Sequence, residues 1–203
     1  MKIVSHEQGS AEWLNWRRSK ITATSASIIM GHNPWSTKLD LWNEMLGITP
    51  PKEKNAAMER GNTLEPEARA LFIKETGIDM VPIVCESEAY PWMAASLDGW
   101  NAEHQAILEI KSPGEKTHLM SINGEIPIYY SDQLHHQCGV TKGQIAYYMS
   151  YRPEYKKQPY AIVEARPDWD YIERMIDAER IFYEEYLCTF RRPEEWTFKE
   201  KTR

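Results

Sequence analysis

Cysteine is scarce in this chain. Cys85, Cys138 and Cys188 are the three among 203 residues, far apart and without a CxxC pair. That excludes a disulfide framework, a zinc ribbon and a four-cysteine iron–sulfur cluster, and leaves ordinary reduced thiols. Long apolar runs are missing too. No stretch approaches the roughly 18 residues of a membrane span, and the opening MKIVSHEQGSAEW has no apolar segment of signal-peptide type. The expected location is the cytoplasm. There is no HExxH, and the neighbours His135 and His136 would point about 100° apart on a helix, which does not suit one metal. Zinc catalysis is thereby disfavoured. An excess of positive charge is also absent: Lys and Arg number 24 against 30 Asp and Glu, a net charge of −6. Affinity for nucleic acid comes mainly from Lys and Arg neutralising phosphates. The balance therefore argues mildly against such a partner, unless basic residues cluster where a strand would lie. Arg17, Arg18 and Lys20 form one small cluster. No repeat, low-complexity tract or long linker divides the chain, which reads as a single domain over 1–203, long enough to bury a core.

What is present is a run of helices, then strands, then alternation. Ser10 caps a short helix over AEWLNWRR that ends near Arg18. ITATSASIIMG opens a second, with Ser and Thr as N-caps and Gly31 as its stop. TKLDLWNEMLG is a third, with Leu39, Trp42 and Leu46 at helical spacing. PPKEKN reads as a solvated loop. From Ala56 to Thr76 the pattern is helical, with Leu64, Ala68, Leu71 and Phe72 on one face and Gly77 after it. The period then changes. MVPIVCE, MAASLDG and AILEIK read as strands, the last two joined by a hairpin loop at NAEH. A helix over IYYSDQLHHQCGVTK follows, with Ser131 or Asp132 near its start. QIAYYMSYR and PYAIVEAR are two more strands, and DWDYIERMIDAERIFYEEYLCTF a final amphipathic helix. The order predicts an α/β or α+β domain with a central mixed sheet covered by helices.

The segment SLDGWNAEHQAILEIK carries the chemistry. Residues two apart on a strand share a face, so Glu109 and Lys111 point together and Leu108 and Ile110 point away. A carboxylate beside an ammonium on one face of a core strand is unusual unless that face lines a site. Asp98 ends the preceding strand, and a hairpin of this length can bring it beside Glu109. Two converging carboxylates make a hard oxygen site suited to Mg²⁺ or Mn²⁺. A lysine beside such a metal can hold or help deprotonate a water and stabilise charge developing on a phosphate. This D…ExK arrangement is the signature of the PD-(D/E)xK nuclease fold. E-x-K alone is a weak signal; Glu154–Lys156 is a second example, in the polar turn RPEYKK, and reads as surface. On these residues alone, a same-face salt bridge on an exposed sheet is an equal reading. In RGNTLEPEAR, Glu65 and Glu67 lie on a helix leading into the sheet, and Glu67 reads as a solvated charge.

Four ordered blocks resemble one family. WLNWRRSKITATSAS, RGNTLEPEAR, ASLDGW…LEIKSP and YYSDQLHHQ are similar to the successive motifs of the lambda-exonuclease, or YqaJ-like viral recombinase, family of phage nucleases, from about Gln8 to Tyr151. The resemblance implies a restriction-endonuclease-like PD-(D/E)xK core. It implies a Mg²⁺-dependent 5′→3′ exonuclease, with Mn²⁺ as a substitute and hydrolysis of the two-metal type. One strand of linear duplex DNA would be degraded from 5′-phosphorylated ends, leaving 3′ overhangs for annealing recombination. Asp98 and Glu109 match the metal carboxylates, the carbonyl of Ile110 completes the coordination, and Lys111 matches the catalytic lysine. Glu65 matches a supporting glutamate, and Gln133 the glutamine that borders the site. Arg17 matches the arginine that binds the 5′-phosphate with a nearby hydroxyl, which falls on Thr24, with Ser25 adjacent. Arg17 reads equally well as a surface residue with its stem on Trp13. The family further implies a homotrimeric ring around DNA, a phage single-strand annealing protein as partner, and work in the cytoplasm of a bacterial host. Two alternatives stay open: a structure-specific or restriction-type endonuclease of the same fold, and a non-catalytic protein that binds DNA ends.

Overall fold

The computed structural model describes residues 1–5, 10–50 and 55–194. Six strands lie in chain order in one sheet: β1 (Lys2–Ile3), β2 (Val81–Glu86), β3 (Ala94–Asn101), β4 (Ala106–Lys111), β5 (Ile145–Tyr151) and β6 (Tyr160–Ala165). Neighbours are antiparallel except β4 and β5, which run parallel from Ala106↔Ile145 to Lys111↔Ser150. A parallel pair needs a crossover longer than any hairpin. Here it contains α5 (Glu115–Ile122) and α6 (Ile128–Thr141). This is the mixed sheet flanked by helices that the element order predicts.

The remaining helices are α1 (Ala11–Arg18), α2 (Ala23–Ile29), α3 (Lys38–Met45), α4 (Ala56–Thr76) and α7 (Trp169–Ile181). Several carry their own start signals. Ser10 Oγ accepts the Trp13 amide, Asn55 Oδ1 accepts that of Met58, and Thr37 and Asp40 cap α3 reciprocally. Pro66 lies inside α4, where it removes one helical hydrogen bond. The helix nevertheless runs on to Gly77, whose φ of 71° lets it turn off in the left-handed region.

Each face of β4 meets a different helix. Ile107 packs in a cluster with Leu134 and Cys138 of α6 and Ile172 and Ile176 of α7. Leu108 and Ile110 pack on the opposite face with Ala68 and Phe72 of α4. A third cluster joins Ile28, Leu39 and Trp42 to Phe182 and Leu187 at the end of the last helix. The central strand is therefore covered on both sides, and any polar group on it must find its partner inside.

The structure departs from the sequence expectations in several places. α6 starts at Ile128, the residue at which the expected helix begins; within it Asp132 is buried and accepts from Tyr171 Oη at 2.6 Å. α5 and the two-residue β1 carry little periodic signal and were not expected. The final helix turns into a π-helical segment over Phe182–Leu187. The expected loop PPKEKN spans 50–55, of which 51–54 lie outside the described residues, while Asn55 is the cap of α4. Cys85 and Cys138 are free and buried, and burial pushes both thiols up to about 12.

Candidate active site

The site sits where β3 and β4 part company. Their ladder runs Asn101↔Ala106, Trp100↔Ile107, Gly99↔Leu108 and goes no further. One residue beyond, the Asp98 side chain takes the place of a backbone partner: its Oδ2 accepts the Ile110 amide at 2.7 Å. Gly99 is needed at the fork. A Cβ there would lie 2.8 Å from Met80 Cβ and 3.1 Å from Leu108 Cβ, closer than packed carbons tolerate.

Glu109 is buried at 4% exposure and faces α6. Lys111 Nζ forms an ion pair with Glu109 Oε1, and Gln137 Nε2 donates to Glu109 Oε2 at 2.6 Å. Lys111 Nζ also lies 5.5 Å from the centroid of the Tyr130 ring. On the far side, Glu65 of α4 is held by Arg69. That guanidinium donates to Glu65 Oε1 at 3.0 Å and to the Asp98 carbonyl at 2.6 Å, pinning α4 to the end of β3.

The electrostatics are those of a crowded anion cluster. Burial pushes the Asp98 carboxyl well above its usual range; Glu109 and Glu65 add to the rise, against the opposing pull of Lys111 and the Ile110 amide. Burial works against the Lys111 charge, but Glu109 and Asp98 outweigh it and hold the ammonium above its ordinary pKa. One lysine thus faces a buried and a half-buried carboxyl group, with a third acid close by. Such a cluster attracts a further cation.

The donor set fits a hard divalent ion. Asp98, Glu109 and the Ile110 carbonyl can supply oxygens. Gln137 Oε1, buried and without a hydrogen-bond partner among the described residues, is the kind of orphaned acceptor that an ion's water would satisfy. Among the described residues no three His, Cys, Asp or Glu side chains form a metal cluster by themselves. Waters and the main chain must complete the shell, which Mg²⁺ readily allows.

The remaining expected residues fall as follows. Gln133 is buried on α6, but the glutamine that touches Glu109 is Gln137, one turn on. Gln137, Arg69 and Tyr130 are the additions of the structure. Each stands inside a block singled out in the sequence, and Glu65–Arg69 is a readable i,i+4 pair. Glu67 is exposed and accepts from Tyr151 Oη at 2.6 Å. Glu154 lies in the turn after β5, bonded to Arg60 at the surface. Arg17 packs over the Trp13 ring, 5.0 Å from its centroid; burial lowers its pKa against the pull of Glu44. Thr24 is exposed on the first turn of α2, whereas Ser25 is buried with its Oγ 3.2 Å from Thr22 Oγ1. α2 packs along α6, the helix that carries Gln133 and Gln137.

The sequence model of the YqaJ-like viral recombinase domain matches residues 12–144. The protein YqaJ of Bacillus subtilis (strain 168) is 29% identical over 160 residues, covering 77% of this chain and 47% of its own length. Protein R354 of Acanthamoeba polyphaga mimivirus is 26% identical over 155 residues, 70% of this chain and 28% of its own. The chain thus spans about half the length of the first of these relatives and less of the second. Among solved structures, an alkaline exonuclease from Laribacter hongkongensis superimposes with a TM-score of 0.74 at 27% identity, over 90% of this chain and 97% of that one. Its complex with dAMP gives a TM-score of 0.75 at 26% identity, with the same coverage. A phage related exonuclease from Haemophilus somnus 129PT shares the fold at a TM-score of 0.59 and 14% identity, over 84% of this chain and 96% of that one.

Proposed function

This chain belongs to the YqaJ-like viral recombinase family, and on that premise we propose that it is a DNA exonuclease dependent on a divalent metal. The observation that carries the reading is the meeting of Asp98, Glu109 and Lys111 at the β3–β4 fork. A salt bridge built only for stability would not surround one lysine with a surplus of acid.

In this reading Asp98, Glu109 and the Ile110 carbonyl hold Mg²⁺, with Mn²⁺ as a substitute. When bound, the ion supplies positive charge to the phosphate and lowers the pKa of a water. Lys111 positions that water and offsets the negative charge that builds on the phosphate. Glu109 keeps the lysine protonated and aimed. Gln137 fixes the second carboxylate oxygen, and Arg69 with Glu65 holds the Asp98 end of the fork. Gln133 borders the same wall.

Arg17, with the hydroxyls of Thr24 or Ser25, recognises a 5′-phosphate. Digestion then proceeds 5′→3′ on one strand and leaves 3′ overhangs. A homotrimeric ring would explain sustained digestion by a chain of net charge −6, because encirclement replaces electrostatic grip. A phage single-strand annealing protein would consume the product.

The decisive experiment offers Mg²⁺ and linear duplexes with defined 5′ and 3′ ends, beside a closed circle and a native mass measurement. The expected result is nucleotide release from 5′-phosphorylated ends by a trimer. No release from any linear DNA would sink the enzyme reading, and cutting of the closed circle would favour an endonuclease.

A further inference from the structure

Trp35 does not belong to the core, for it leaves 66% of its surface exposed. Yet its loop is firmly fixed. The amides of His32 and Asn33 donate to the Ser27 carbonyl at 2.9 and 3.0 Å. Asn33 Oδ1 accepts the Trp35 amide at 2.9 Å while its Nδ2 donates to Ser27 Oγ at 3.1 Å. His32 Nδ1 lies 2.8 Å from Asp132 Oδ2 on α6. An exposed indole on a pinned loop is preorganised, so little ordering cost remains for whatever covers it.

The indole is also the outer end of an aromatic series. Trp35 meets Tyr129 at 5.0 Å between centroids, with the rings at 74°. Tyr129 meets Tyr130 at 4.5 Å and 65°. Tyr130 in turn lies under Lys111 Nζ. An edge-to-face contact braces the indole and leaves a face of one ring open to a further flat group. The series leads from solvent directly to the lysine of the site.

The occupant follows from that continuity. Glu109 is buried and Lys111 keeps 28% of its side chain exposed, so a phosphate gains access to that lysine when its nucleotide leaves the duplex stack. The base then loses its stacking partner, and an aromatic face beside the route restores one for any base. We propose that Trp35, braced by Tyr129, is a stacking platform for the unpaired nucleobase at the strand end delivered to Lys111. This rests on the nuclease reading above.

The test uses the full chain and linear duplexes with a divalent metal. Trp35→Ala raises KM about tenfold, the scale of one lost base stack, with kcat little changed. Trp35→Phe recovers most of the loss. On a duplex whose terminal nucleotides are abasic, wild type and Trp35→Ala coincide. Absence of release by wild type sinks the nuclease reading and the platform with it. Release by wild type with an unchanged KM for Trp35→Ala overturns the platform alone. So does a penalty that persists on abasic ends, and so does a change in native mass, which would make Trp35 a subunit contact instead.

Discussion

His136 and Gln137 are successive residues of α6, and each closes a different buried ion pair. Gln137 donates to Glu109, whose partner Lys111 keeps 28% of its side chain exposed. His136 meets Glu179 of α7 at 2.7 Å, with both side chains fully buried, and its Nε2 bonds the Ala94 carbonyl. The first pair has an open side and a surplus of acid around it; the second is sealed, with its positive partner matched one to one. Burial alone would strip the proton from His136, but Glu179 outweighs it and raises the pKa, against a small opposing effect of Arg17. One helix thus borders one polar cluster that is open on a side and another that is fully enclosed. Openness and charge imbalance tell them apart better than burial or distance does.

Breaking each pair should have opposite signatures. Lys111→Ala is expected to lower nucleotide release by about 10³-fold or more, with end binding largely intact; parallel loss of binding would count against its catalytic role. His136→Ala should instead destabilise the fold by about 3–5 kcal/mol, because it strands Glu179 as an unpaired buried charge. Urea unfolding measures this, and undiminished stability would show the pair to be dispensable. The same pair sharpens the contrast through pH. The folded pKa of His136 is raised, so its contribution is complete below the unfolded value of about 6.5 and is lost as pH rises through the folded value. Wild type should therefore converge on the variant in stability from neutral to alkaline pH; parallel curves would refute the linkage. The smallest effect is expected at Arg17. Arg17→Ala should cut the preference for 5′-phosphate over 5′-hydroxyl ends by about tenfold, the worth of one charge-assisted pair. An unchanged ratio would remove the phosphate assignment.

The parts of this molecule that could be read from its sequence are those where period and chemistry coincide. AILEIK alternates, and the charges it places on one face are the ones the fold gathers with Asp98. The helix over Ala56–Thr76 is legible despite Pro66 because its apolar spacing continues on both sides. Gln137 was not distinguished from Gln133. Residues four apart share a helix face, and which one reaches Glu109 depends on how far α6 slides along β4, a tertiary quantity. The start of α6 at Ile128 is legible as well, but the role of Asp132 is not: its carboxylate is spent on Tyr171 and His32, partners distant in sequence. The π-helical close at Phe182–Leu187 depends on how the chain meets α3, where Trp42 Nε1 donates to the Tyr186 carbonyl at 3.0 Å. Nothing local to its sequence announces it.

The Asp98–Ile110 bond has a practical consequence. Because the carboxylate stands in for a missing strand partner, Asp98→Ala would abolish a proposed metal oxygen and orphan a buried amide in one stroke. A loss of function in that variant could not be divided between chemistry and a loosened sheet. Asp98→Asn keeps an acceptor for the amide, and Lys111→Ala leaves the Asp98–Ile110 bond in place while unpairing Glu109. Those two are the variants in which a captured DNA end would still meet an intact β3–β4 fork.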